Sequence, residues 1–170
     1  MNETDLITQA TAGDVVAFGA LVRQHQSRLR GFLRRLTRGN HALADDMAQE
    51  TFLEAWRKLA KFRGEGSFAG RLSRIAYTRI LMEARRRKLE PLDEQADLAE
   101  TRAANPDARL DLEKAIAKLS FAERAALTLC YAQGYSNEEA SDILAMPLGT
   151  LKSHVLRGRE KLRGLLEGAS

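Results

Sequence analysis

The chain has 170 residues, 44% of them hydrophobic and 29% charged, with a formal net charge of +4. That suits one or two small folded domains and excludes a membrane span, since no apolar run approaches the ~18 residues one needs. The single cysteine, Cys130, excludes an internal disulfide and a zinc site of four cysteines.

The charge is unevenly spread along the chain. Residues 1–88 carry 17 Lys/Arg against 9 Asp/Glu, residues 89–110 carry 2 against 6, and residues 111–170 carry 8 against 8. A polyanionic partner for the first part is the direct implication. The opening MNETDLITQA is polar and acidic, unlike a secretory signal, so a cytoplasmic location is expected. Helical periodicity runs through almost everything that follows, and no segment alternates as a strand does. The fold class is therefore all-α.

The first helix is expected from about Asp14, its N-cap, to Leu36, with Gly39-Asn40 as the stop. Phe18, Leu21, Val22, Leu29, Phe32, Leu33 and Leu36 form its apolar stripe. A second runs from about Ala42 to Lys61, with Ala44, Ala48, Phe52, Ala55 and Leu59 on one face and Asp46, Glu50, Glu54, Arg57 and Lys61 on the other. The break RGEGSF follows. A third helix, from about Ser67 to Lys88, ends in Arg85, Arg86, Arg87 and Lys88. Residues 89–106 are acidic and hold two of the three prolines, which reads as a linker. Helices resume near Asp107, giving two domains at 1–88 and 107–170. Cys130 lies in the apolar run AALTLCYA and reads as a buried packing thiol.

The stretch GYSNEEASDILAMPLGTLKSHVLRGREKLR carries the most information. Gly134 can end one helix. Ser136 and Glu139 have the spacing of a capping box. Met146-Pro147-Leu148-Gly149 breaks the helix so begun, since Pro147 lacks the donor and Gly149 tolerates positive φ, and Thr150 is expected to cap the last one. Leu151, Val155, Gly158, Leu162 and Leu165 then share one face; Thr150, Ser153, His154, Arg157 and Lys161 share another. Short helix, tight turn and a helix with an outer face of hydroxyl, imidazole and cationic groups form a helix-turn-helix. Such a helix fits the major groove, its side chains reaching base edges and phosphates. A helical hairpin with a merely solvated basic face is the blander reading.

These residues resemble, without a gap, the C-terminal DNA-binding domain of bacterial RNA polymerase sigma factors of the extracytoplasmic-function (ECF) group, in the sigma-70 family. ADDMAQETFLEAWRKLAKFRGEGSFAGRLSRIAYTRILMEARRRK is similar to the first domain of the same family. The resemblance implies a factor that binds core RNA polymerase and directs promoter-specific initiation, with an anti-sigma factor as its inhibitor. It implies docking on the β′ clamp helices through Asp45, Asp46, Gln49, Glu50 and Glu54, with the β flap as a second polymerase contact. It implies melting of the −10 promoter element by Phe62, Arg63, Phe68, Arg71, Arg74, Thr78 and Arg85. Reading of the −35 element falls to Thr150, Lys152, Ser153, His154, Arg157 and Lys161. Differences from the family pattern are Gly70-Arg71-Leu72 after the loop phenylalanine, Thr78 and Met82 in the third helix, Ser120 in place of a proline, and His154 in place of an arginine.

No catalytic motif is present, so an enzyme, a cofactor or a metal site is not expected. Asp45, Asp46 and Glu50 read as an exposed acidic face rather than metal ligands. The rival reading is an ordinary helix-turn-helix regulator acting as a dimer on paired half-sites. It would have no need of a basic, loop-interrupted first domain.

Overall fold

Side-chain caps set where the helices begin. In the computed structural model, which describes residues 1–62, 64, 66–87 and 108–168, Asn2 accepts from the Asp5 N–H and opens α1 (Glu3–Thr11). Asp14 accepts from the Val16 and Ala17 N–H groups and opens α2 (Val15–Leu36). Asn40 opens α3 (His41–Arg57), and Ser67, accepting from Gly70 N–H at 2.9 Å, opens α4 (Phe68–Arg86). Each such cap is worth about 1 kcal/mol, because it satisfies a donor the helix leaves orphaned. The expected linker 89–106 and Arg63 lie outside the described residues. Beyond them come α5 (Ala108–Ala117), α6 (Phe121–Leu127), a π turn (Thr128–Ala132), α7 (Asn137–Leu144) and α8 (Leu148–Gly168).

The described residues hold helices and no strands, as periodicity implies. Three differences from the expected boundaries have local causes. The second helix stops at Arg57 and tightens into a 3-10 turn at Leu59–Lys61. The last helix starts at Leu148, so Thr150 lies inside its first turn and caps nothing. Ala145, not Gly149, takes the left-handed conformation that ends α7, at φ 55°. Pro147 has no amide to lose at a helix start, so α8 can begin immediately after it. α1 was not expected at all. Its buried Leu6 and Ala10 pack on α2.

Leu21, Phe32, Leu33 and Leu36 of α2 are fully buried among Ala44, Ala48 and Ala55 of α3 and Leu72, Ala76 and Ile80 of α4. In the second half, α6 packs on α8, and Gly158 makes the approach possible. A Cβ there would lie 2.7 Å from Leu127 Cδ1 and 3.2 Å from Cγ. Gly158→Ala is therefore expected to lower stability by about 1 kcal/mol in urea unfolding. Overpacking costs ~1–3 kcal/mol, against the ~1 kcal/mol that alanine gains in a helix.

The two halves meet along a seam that the sequence does not announce. Tyr77 of α4 stacks on Phe121 of α6, centroids 5.5 Å apart. Arg28 donates to the Gln133 carbonyl at 2.8 Å, and Gln133 Nε2 donates back to the Arg28 carbonyl at 2.9 Å. Arg124 of α6 is fully buried there. It donates to the carbonyls of Arg35 and Leu36 at the end of α2, and to that of Leu119.

Candidate nucleic-acid interface and docking face

One face of α4 is basic and open. Arg74, Thr78 and Arg85 are exposed along it, and Arg71 sits half-buried at its start. The loop before α4 turns through Gly64 (φ 80°) and Gly66 (φ 72°), backbone that a side chain would strain. Arg71 lies over the Phe62 ring at 5.6 Å, and Phe62 meets the edge of Phe68 at 6.1 Å. The structure thus brings Phe62, Phe68 and Arg71 together, in unequal roles. Phe68 is 2% exposed and backed by His25 at 5.2 Å, so it is a pillar under Phe62. Phe62 is only half-buried, with Arg71 over its ring, so it is the more accessible of the two rings. His25 in turn meets Glu3 of α1 at 3.1 Å, a support the sequence did not suggest.

The acidic residues of α3 divide into two sets. Asp45, Asp46 and Gln49 are exposed. Glu50 and Glu54 reach α4 instead, meeting Arg79 at 3.2 and 2.8 Å, and Glu54 also pairs with Lys58 at 2.7 Å. Burial pushes the Glu54 carboxyl up, but its bonds to Lys58 and Arg79 outweigh that and hold it below its ordinary value. Glu54 is therefore a pin between helices more than a docking group. Beside the exposed set runs an apolar groove of about 500 Å³ between α2 and α3, lined by Val15, Phe18, Val22, Phe52, Leu53 and Trp56. Val15 and Leu53 are 68% and 49% exposed. Leu53 falls outside the apolar stripe of α3, which is the one sequence signal that could have revealed this groove.

The helix-turn-helix forms as its caps require. Ser136 Oγ accepts from Glu139 N–H at 3.0 Å, and the Glu139 carboxylate accepts from Ser136 N–H at 2.8 Å. On α8, Thr150, Lys152 and Ser153 are exposed, while Leu151, Val155 and Gly158 face inward. The remaining three expected readers are not free. Arg157 Nε lies 3.8 Å from Glu123 of α6, and Lys161 Nζ lies 3.0 Å from both of its carboxylate oxygens. His154 is half-buried; burial first, and then the Arg157 charge, lowers its pKa below the ordinary value. Its neutral ring can accept from Arg157 Nη2, 3.1 Å away. Sequence reasoning also missed Leu156, 55% exposed, and Arg159, which lies over Tyr131 at 5.8 Å. Both line a 410 Å³ cleft with Lys152, Ser136 and Asn137. Cys130 is in its wall, and burial pushes its thiol up, which keeps it protonated and unreactive.

Among the described residues no three His, Cys, Asp or Glu side chains gather as metal ligands would. No helix among them is long and apolar enough to cross a membrane. A basic stripe, an acidic face beside a groove, and a helix-turn-helix thus occupy separate surfaces of one chain. Family models agree with that division: Sigma-70 region 2 matches residues 21–90, and Sigma-70 region 4 matches residues 109–162.

The chain belongs to the sigma-70 family.

Its relatives place it in the ECF group. It is 38% identical over 156 residues to the ECF RNA polymerase sigma factor SigE of Mycolicibacterium smegmatis, covering 86% of this chain and 60% of that one. It is 32% identical over 167 residues to the ECF RNA polymerase sigma factor SigM of Mycobacterium tuberculosis, covering 97% and 85%. Its fold matches the sigma factor RpoE of Bartonella quintana, solved with the anti-sigma factor NepR, at a TM-score of 0.74 and 29% identity over 88% of this chain and 96% of that one. CnrH, solved with the cytosolic domain of CnrY, matches at 0.72 and 28% identity over 97% of each. The region 2 match runs from within α2 through α4, and the region 4 match from α5 into α8.

Proposed function

We propose that this protein is a transcription initiation factor that acts by binding, not catalysis, in the cytoplasm. Region 2, residues 1–88, docks Asp45, Asp46 and Gln49 on the β′ clamp helices of core RNA polymerase, with the adjacent groove taking apolar side chains. Its α4 stripe of Arg71, Arg74, Thr78 and Arg85 tracks the −10 strand while Phe62 stacks an extruded base. Region 4, residues 107–170, meets the β flap and lays α8 in the −35 major groove. A similar structure solved with an anti-sigma factor supports an inhibitor of that kind for this chain. The observation that carries the reading is the pairing of an exposed acidic face on α3 with an exposed basic stripe on α4, ahead of a helix-turn-helix. A dimeric regulator has no use for that pair.

The test is to reconstitute the protein with core polymerase and its own genomic DNA and to map transcript starts. Discrete starts sharing two spaced upstream elements are expected. No core binding and no new starts, with co-purifying inhibitor excluded, would remove the reading. In the same assay Arg157→Ala is expected to cost about 1–3 kcal/mol at the −35 element and relax preference at one base pair. Unchanged preference would show that Arg157 reads no base.

A further inference from the structure

Glu123 lies outside the motif blocks that carry the family resemblance, yet two of the expected DNA readers, Arg157 and Lys161, pair with it, and a third, His154, meets Arg157. Its side chain is 4% exposed. Ser120 N–H donates to one of its oxygens at 3.0 Å, which fixes the carboxylate at the first turn of α6. Gly158 lets α8 close on α6, with the Glu123 Cβ 3.5 Å from where a Gly158 Cβ would stand. That approach places Arg157 and Lys161, one residue before and three after the glycine, over the buried charge. Lys161 spends its ammonium on both oxygens. Arg157 gives Glu123 only its Nε, at the longer 3.8 Å, and aims Nη2 at His154.

The two cations are thus held unequally. An ammonium that bridges both oxygens of a buried carboxylate is neutralised in place and has little left for a phosphate. A guanidinium hydrogen-bonded to His154 at 3.1 Å and drawn by the Glu123 charge at 3.8 Å has its plane set from one side, which favours a bidentate contact to a guanine edge from the other. Burial alone would push the Glu123 carboxyl up, but the Ser120 N–H and Lys161 outweigh it, so the group stays ionised.

We infer that Glu123 is the positioning residue of the −35 reading head: it withholds Lys161 from DNA phosphate and aims Arg157 at a base pair. The inference rests on the proposal that α8 reads duplex DNA. Its consequence is that this chain holds nonspecific affinity down while keeping sequence preference up.

Glu123→Gln separates the two effects, and glutamine keeps the capping-box role, so α6 should still start at Ser120. Binding of the full chain to short duplexes with a randomised centre is measured across a salt series, and the bound pool is sequenced. Freeing Lys161 adds one phosphate contact, so the log-log salt slope should steepen by about 0.9 and low-salt affinity rise severalfold. Loss of aim at Arg157 should flatten preference at one base pair by about five- to tenfold. Glu123→Gln combined with Lys161→Gln should return the slope to the wild-type value while leaving preference flat. An unchanged slope and preference in Glu123→Gln would overturn the inference. So would lost affinity at an unaltered slope with a lowered melting temperature, which is the mark of a merely structural carboxylate. Failure of the wild-type chain to bind any duplex would instead overturn the reading of α8, and the inference with it.

Discussion

Asp46→Lys with Gln49→Lys is expected to weaken binding of core RNA polymerase at least a hundredfold while leaving the fold intact. Both positions are exposed on α3, and neither makes a hydrogen bond or ion pair among the described residues. Surface changes of that kind usually move stability by less than about 0.5 kcal/mol. At a docked interface the same changes act differently. Like charges forced together cost several kcal/mol, and about 3 kcal/mol is already two orders of magnitude in affinity. Glu50 and Glu54 are poorer choices, because reversing them would release Arg79 from α3 and confuse docking with folding. Affinity is read by labelled core polymerase titration, and stability by urea unfolding of the same sample. Wild-type affinity in the double variant would move the docking surface off α3. Lost affinity with lost stability would leave the face unassigned to polymerase.

Much of this architecture is legible in the sequence because it is local. Caps, glycine stops and 3.6-residue stripes act within a few residues, so the starts of α2, α4 and α7 follow from Asp14, Ser67 and Ser136, while Asn40, read as a stop, also caps α3. The exposed basic stripe of α4 follows from the same periodicity. What is not legible is long-range pairing. Nothing near Glu123 in sequence announces Arg157 and Lys161, and the cluster exists only because Gly158 admits α6. Helical periodicity alone marked Arg157 and Lys161 as outward residues, and they are exposed, yet their charged ends turn back to a buried partner. Phe68 is a similar case: a loop phenylalanine reads as a stacking platform until its burial behind Phe62 is seen. Glu54 looked like part of an acidic face because its partner, Arg79, is on another helix. The seam between the halves is the largest omission. Its hydrogen bonds run from Arg28, Gln133 and Arg124 to main-chain carbonyls, and its ring stack joins Tyr77 to Phe121, pairings far apart in sequence that carry no local pattern.

That seam is the basis of the second large expectation, that Arg124→Met opens the molecule. A folded chain of this length has a radius of gyration of about 16 Å, hence a span of about 40 Å. Promoter elements about 25 base pairs apart lie ~85 Å apart along duplex DNA. The packed form cannot reach both, so on the proposed function the seam must part when the promoter is bound. Arg124 is the group that most resists parting. It is fully buried, lies over the Phe121 ring at 5.8 Å, and satisfies carbonyls on both sides of the seam. Methionine keeps the bulk of the side chain and removes every donor. The stranded carbonyls of Arg35 and Leu36 would each cost about 1–3 kcal/mol if they stayed buried. Water can relieve them only if the halves separate. The expected result is a larger radius in small-angle scattering, a loss of about 3 kcal/mol in urea unfolding, and tighter binding to core polymerase because opening no longer has to be driven. A lowered midpoint with an unchanged radius would place the strength of the seam in the Tyr77–Phe121 stack and the Arg28–Gln133 pair, and Tyr77→Ala would then be the variant that opens it.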